Sequence, residues 1–88
     1  MVEEKVTIVN EVGLHARPAS IFLKEAIKYD SEVTLIKDGK QYNGKSIMSI
    51  LSMQAYRGSE IVIRCEGKDE EEALKNLVYI LENDLFDI

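Results

Sequence analysis

Apolar and polar positions alternate along KVTIV (5–9), and a period of two places Val6 and Ile8 on one face of a strand. After a loop carrying Asn10 and Gly13 the period changes. From Ala16 to about Tyr29 the apolar residues Ala19, Phe22, Leu23 and Ala26 recur every three or four positions, as one buried helix stripe requires. VTLIK (33–37) and KQYN (40–43) flank Asp38-Gly39, a dipeptide suited to the two positive φ angles of a type I′ turn, so an antiparallel hairpin is predicted. Ser46 precedes IMSILSM (47–53), a short helical piece with more apolar residues than one face can hold, and Arg57-Gly58 supplies a turn beyond it. Ile50 and Met53 are assigned to the core; the rest must meet solvent or a partner. EIVIRC (60–65) alternates again, with Ile61, Ile63 and Cys65 inward and Val62 and Arg64 outward. The last helix is expected to start at Asp69, three residues before Glu72 in a spacing close to a capping box, and its early acids suit the helix dipole. Ala73, Leu74, Leu77, Val78 and Leu81 form its stripe, and Glu71 can pair with Lys75 on its wet face.

The predicted order is βαββαβα, an α+β class chain in which helices cover one sheet face and leave the other solvated. At 88 residues the chain has room for one small domain, 1–88, with one core and no internal repeat or linker. One cysteine, Cys65, cannot form an internal disulfide, and with one histidine no metal cluster is expected; Cys65 reads as a small core residue. A net charge of −5 opposes a phosphate backbone, so no nucleic-acid partner is expected. No apolar run approaches the roughly 20 residues of a membrane helix. The start, MVEEKVTIV, lacks a signal pattern, so no membrane insertion and a cytoplasmic location are expected.

The chemistry concentrates in GLHARPAS (13–20), which holds the only histidine, His15, and the only proline, Pro18. If the long helix begins at Ala16, Pro18 falls in its first turn, where a missing amide hydrogen breaks no helical bond. The amides of that turn, at Ala16 and Arg17, point toward whatever precedes the helix and with its dipole favour an anion. Arg17 adds a forked cation suited to phosphate oxygens. The same positive end opposes protonation of His15, leaving one ring nitrogen able to attack a phosphoryl group. A histidine that merely caps the helix explains the same residues as well, though it is a mediocre cap.

GLHARPAS also resembles the active-site motif of HPr, the histidine-containing phosphocarrier of the sugar phosphotransferase system. KSIMSILS (45–52) resembles the segment around the regulatory serine of HPr from low-GC Gram-positive bacteria, and EGKDEEEAL (66–74) is similar to the family's approach to its last helix. The resemblance covers the whole chain. It implies an open-faced β-sandwich, four antiparallel strands covered on one face by three helices. It also implies a relay in which enzyme I phosphorylates His15, Arg17 stabilises the phosphate, and His15 passes the group to enzyme IIA domains, with no cofactor. Ser46 falls on the regulatory serine, a target for HPr kinase/phosphorylase whose product would bind the catabolite-control repressor. A regulatory HPr-like module with little transport role is the alternative. Ile47, Met48 and Leu51, with Ile21, Lys24 and Ile27 on the first helix, are the expected docking residues of a monomer. The family commonly carries serine or asparagine at Val12 and glycine at Ser49 and Gln54, so altered geometry is expected at the exit of the short helix.

Overall fold

The computed structural model describes residues 1–11 and 13–83. It has the expected order: β1 (Val2–Thr7), α1 (Ala16–Ala26), β2 (Glu32–Lys37), β3 (Lys40–Asn43), α2 (Ile47–Ser52), β4 (Glu60–Glu66) and α3 (Glu70–Glu82). The strands form one antiparallel sheet in the order β1-β4-β2-β3, and the three helices cover one face of it, an open-faced α+β sandwich.

Register explains which face is covered. Cys65 stands between Val2 and Val33, and Ile63 between Glu4 and Leu35, so the buried strand residues line up across the sheet. One position along, Val62 sits between Lys5 and Ile36, and Arg64 between Glu3 and Thr34, giving the mixed, partly exposed outer face. Phe22, Ala19 and Ala26 of α1, Ile50 of α2, and Ala73, Leu77 and Leu81 of α3 close the core from the helical side, all at most 1% exposed. Cys65 is fully buried among them, and desolvation pushes its thiol up to about 11.

The β2–β3 hairpin turns through Asp38 (φ 53°) and Gly39 (φ 79°), the pair of positive angles expected of a type I′ turn. Three expectations need correction. The first strand lies at Val2–Thr7 rather than 5–9, because Ile8, though buried, pairs with the Gly58–Ser59 turn instead of with β4. The first helix ends at Ala26 rather than near Tyr29. Past it, Lys28 and Tyr29 donate to Glu25 and Ala26, three residues back, so the last turn tightens.

The third correction concerns Asp69, which precedes α3 but does not cap it. Its carboxylate accepts from the amides of Asp30 (2.9 Å) and Ser31 (3.0 Å) and from the Ser31 hydroxyl (2.5 Å), tying the α1–β2 turn to the start of α3. These bonds, that of the hydroxyl first, hold the Asp69 carboxyl below its ordinary value. The reach back to the preceding loop comes from Glu70, whose Oε1 accepts from the Gly67 amide at 3.1 Å. Glu71 and Lys75 form no ion pair.

Candidate functional site

The residues flagged by sequence stand on three supports: the loop before α1, the first turn of α1, and α2 with its exit. His15 is extended (φ −82°, ψ −173°), its side chain makes no capping hydrogen bond, and it is exposed. Its carbonyl accepts the first helical bond, from Ala19 at 2.8 Å. Pro18 is buried in the first turn, so Ala16 and Arg17 are the first-turn residues that carry an amide hydrogen toward the open end of the helix. The ring thus stands at the electropositive end of an 11-residue helix, and Arg17 is exposed beside it.

The loop is fixed from below. Asn10, only 5% exposed, donates from Nδ2 to the Gly13 carbonyl at 2.6 Å, while its own carbonyl accepts from the Gly13 amide at 3.2 Å. The next amide, that of Leu14, donates to the Ala55 carbonyl at 2.9 Å. Gly13 has φ 69°, and a Cβ there would lie 2.4 Å from the Ala55 oxygen and 2.8 Å from Tyr56 Cα. The backbone just beyond α2 is therefore the shelf on which the histidine loop rests. Sequence reasoning placed Asn10 and Gly13 in a loop but missed Ala55 and Tyr56 as their support. The glycine that opens the motif was a legible signal; the shelf, some forty residues on, carried none.

Ser46 caps α2 as expected: it is extended (φ −129°, ψ 120°), and its hydroxyl accepts from the Ser49 amide at 3.3 Å. The Ser49 hydroxyl accepts from the Asn43 amide at 2.8 Å, which fastens α2 to the end of β3. Lys45 is half-buried and donates from Nζ to the Tyr29 carbonyl at 2.5 Å, tying the start of α2 to the end of α1. Gln54 takes φ 54°, so the left-handed conformation that favours glycine is adopted by a glutamine. Val12 lies outside the described residues.

Met48 and Ile27 are 73% and 58% exposed, whereas Ile47, Leu51 and Ile21 are half-buried and pack on the core edge; Lys24 is exposed in the last turn of α1. The helices that carry these residues pack side by side. Ile50 and Met53 are buried, as assigned. Among the described residues no group of three or more His, Cys, Asp and Glu side chains is arranged to hold a metal ion. No described helix is long and apolar enough to cross a membrane.

An exposed imidazole thus stands before a helix whose open end favours anions. The family model described as "PTS HPr component phosphorylation site" matches residues 2–83, and the chain belongs to the HPr family of phosphocarrier proteins. The HPr-like protein Crh of Bacillus subtilis is 41% identical over 85 residues, covering 97% of this chain and 100% of that protein. Among solved structures, HPr-C-His from Thermoanaerobacter tengcongensis superimposes with a TM-score of 0.95 at 42% identity, covering 100% of this chain and 99% of the other. An HPr dimer from the same organism gives 0.78 at 43% identity with both chains fully covered.

Proposed function

We propose that this chain carries a phosphoryl group on His15. The group arrives from phosphorylated enzyme I: a ring nitrogen of His15 attacks phosphorus, the bond from phosphorus to the donor atom breaks with its electron pair, and the proton that the His15 ring gives up balances the one the departing donor takes. Discharge to a IIA domain repeats the exchange in the other direction. While the group resides on His15, the Ala16 and Arg17 amides and the Arg17 guanidinium offset its charge. A dipole worth about 0.3–1 kcal/mol steadies such an adduct without trapping it. The protein is then a covalent intermediate of the relay and not its catalyst, and it works in the cytoplasm.

The observation that carries this reading is the placement of His15: exposed, uncommitted to a cap, and set by a buried staple at the start of α1. The test is incubation with enzyme I and phosphoenolpyruvate. One acid-labile phosphate per chain is expected, and none on the His15→Ala variant; an unmodified wild type defeats the proposal.

A regulatory role through Ser46 is the second reading, favoured by the full-length similarity to Crh and by the N-cap position of the hydroxyl. HPr kinase/phosphorylase would add the phosphate, and the new charge would attract an arginine-bearing partner such as the catabolite-control repressor and oppose an acidic one. Restoration of sugar uptake in an HPr-deficient strain supports transport, and its failure with intact Ser46 phosphorylation supports regulation alone. We take the monomer as the working unit. Since an HPr relative forms a dimer, sedimentation of this chain is the check.

A further inference from the structure

Sulfur is distributed unevenly between the core and the surface. Of the three methionines, Met53 is 2% exposed, whereas Met48 is 73% and Met1 65% exposed. The remaining sulfur, that of Cys65, has no exposure, and its thiol is pushed up to about 11, so the thiolate that oxidants attack is not formed near neutrality. An oxidant dissolved in water therefore meets thioethers first. Met1 is anchored at the start of α3, its amine 2.9 Å from Glu70 Oε2, while Met48 stands on α2, two residues past the Ser46 cap. Among the described residues Met48 is the most exposed large apolar side chain. Its neighbours Ile47 and Leu51 pack on the core edge and Ile50 is fully buried, so α2 holds its place without the Met48 side chain.

We propose that Met48 is an oxidative modification site, at which a hydroperoxide converts the thioether to the sulfoxide and thereby weakens docking of the phosphoryl donor. The inference rests on the phosphocarrier reading of His15 and makes that relay responsive to oxidants. A sulfur lone pair attacks the terminal peroxide oxygen, an S–O bond forms as the O–O bond breaks, and the hydroxyl proton passes to the departing oxygen. The sulfur is oxidised by two electrons, and the peroxide leaves reduced, as an alcohol or, from hydrogen peroxide, as water. A dithiol reverses the change, becoming a disulfide as the sulfoxide oxygen leaves in water. The product is a polar side chain where a flexible apolar one stood. On docking, the new oxygen must give up water with no partner built for it; in the free protein the group is solvated already, and the fold loses nothing. The partner is thus turned away without unfolding.

The test treats the whole protein with hydrogen peroxide, removes the excess with catalase, and maps the added oxygen by peptide mass. Met48 and Met1 should be oxidised while Met53 is untouched, and thermal melts should match those of the reduced protein. Steady-state phosphotransfer from enzyme I and phosphoenolpyruvate should then show KM for this chain raised about fivefold, with kcat within about twofold. A methionine sulfoxide reductase supplied with a dithiol should restore KM. Met48→Leu, whatever its own KM, should show the same value before and after peroxide although Met1 is still oxidised. Met48→Gln, polar without any oxidant, should raise KM by itself. The inference is overturned if Met53 oxidises as fast as Met48, if Met48→Leu loses as much on treatment as wild type, or if kcat falls while KM holds. A reduced wild type that takes no phosphate sinks the reading of His15 and this inference together; a phosphorylated wild type whose KM ignores the Met48 sulfoxide sinks only the inference.

Discussion

Replacing Gly13 by alanine tests how the histidine loop is supported. Two costs arise, and the structure separates them. An L-residue at φ 69° carries the penalty of the left-handed region, about 1–2 kcal/mol. The new Cβ, 2.4 Å from the Ala55 oxygen, then forces the loop off its shelf, and both neighbours are backbone atoms that cannot swing aside. Loss of the Leu14–Ala55 hydrogen bond adds about 0.5–1.5 kcal/mol, and a buried group left unsatisfied at Asn10 about 1–3 kcal/mol more. The sum is about 2.5–6.5 kcal/mol, or a fall in Tm of roughly 10–50 °C for a domain of this size. Gly39→Ala is the matched control: its φ is 79°, but nothing lies within 4 Å of the added carbon, so only the conformational penalty applies. Urea denaturation of both variants gives the comparison, and phosphorylation at His15 in the folded fraction gives its functional counterpart. If Gly13→Ala costs no more than Gly39→Ala, the close packing of the loop on Ala55 and Tyr56 is wrong.

Gln54→Gly should stabilise the chain by about 0.5–1 kcal/mol, because relief at φ 54° exceeds the entropy that glycine adds to the unfolded state; a lower urea midpoint would contradict this. Asp69 has a carboxyl whose folded pKa is depressed, so its contribution is present above the ordinary carboxylate value and lost as pH falls through the folded one. Asp69→Asn should therefore cost most near neutrality and progressively less in acid. A difference from wild type that stays constant from about pH 6 to about pH 3 would remove the Ser31 latch as its source. Cys65, with its thiol pushed up to about 11 and no exposure, should react with thiol reagents near pH 8 only as fast as the chain opens globally. Rapid stoichiometric labelling of folded protein would refute that.

Element types were legible in the sequence because each rests on a local rule. Alternation in EIVIRC, the stripe Ala19–Phe22–Ala26 and the Asp38-Gly39 turn are written within a few residues, and all three stand in the structure. Asp69 shows the limit of such rules. A capping spacing reads the same whether the carboxylate turns toward its own helix or toward a loop 38 residues away, and Ser31, buried and rich in donors, wins it. The end of α1 was misplaced for a similar reason: the Tyr29 carbonyl is served by Lys45, a partner with no local signature. At the site, GLHARPAS marked the proposed nucleophile and the helix start, but the support beneath it is a contact between distant backbones.

The support also bears on how one small chain could serve two phosphorylations. Ser46 caps the start of α2, Gln54 follows its C-cap Met53, and the next two residues form the shelf under Gly13 and Leu14. A hydroxyl already acting as N-cap can gain charge without any need for α2 to unwind, since the first turn of a helix tolerates anions. The Ala55 carbonyl then keeps its aim at the Leu14 amide, and the backbone that sets His15 stays where it is. On the proposed reading, Ser46 would change which surfaces approach the histidine and leave its geometry alone. The exposed side chains around the shelf, Met48 and Tyr56 with Arg57, are where that change in partner would be felt.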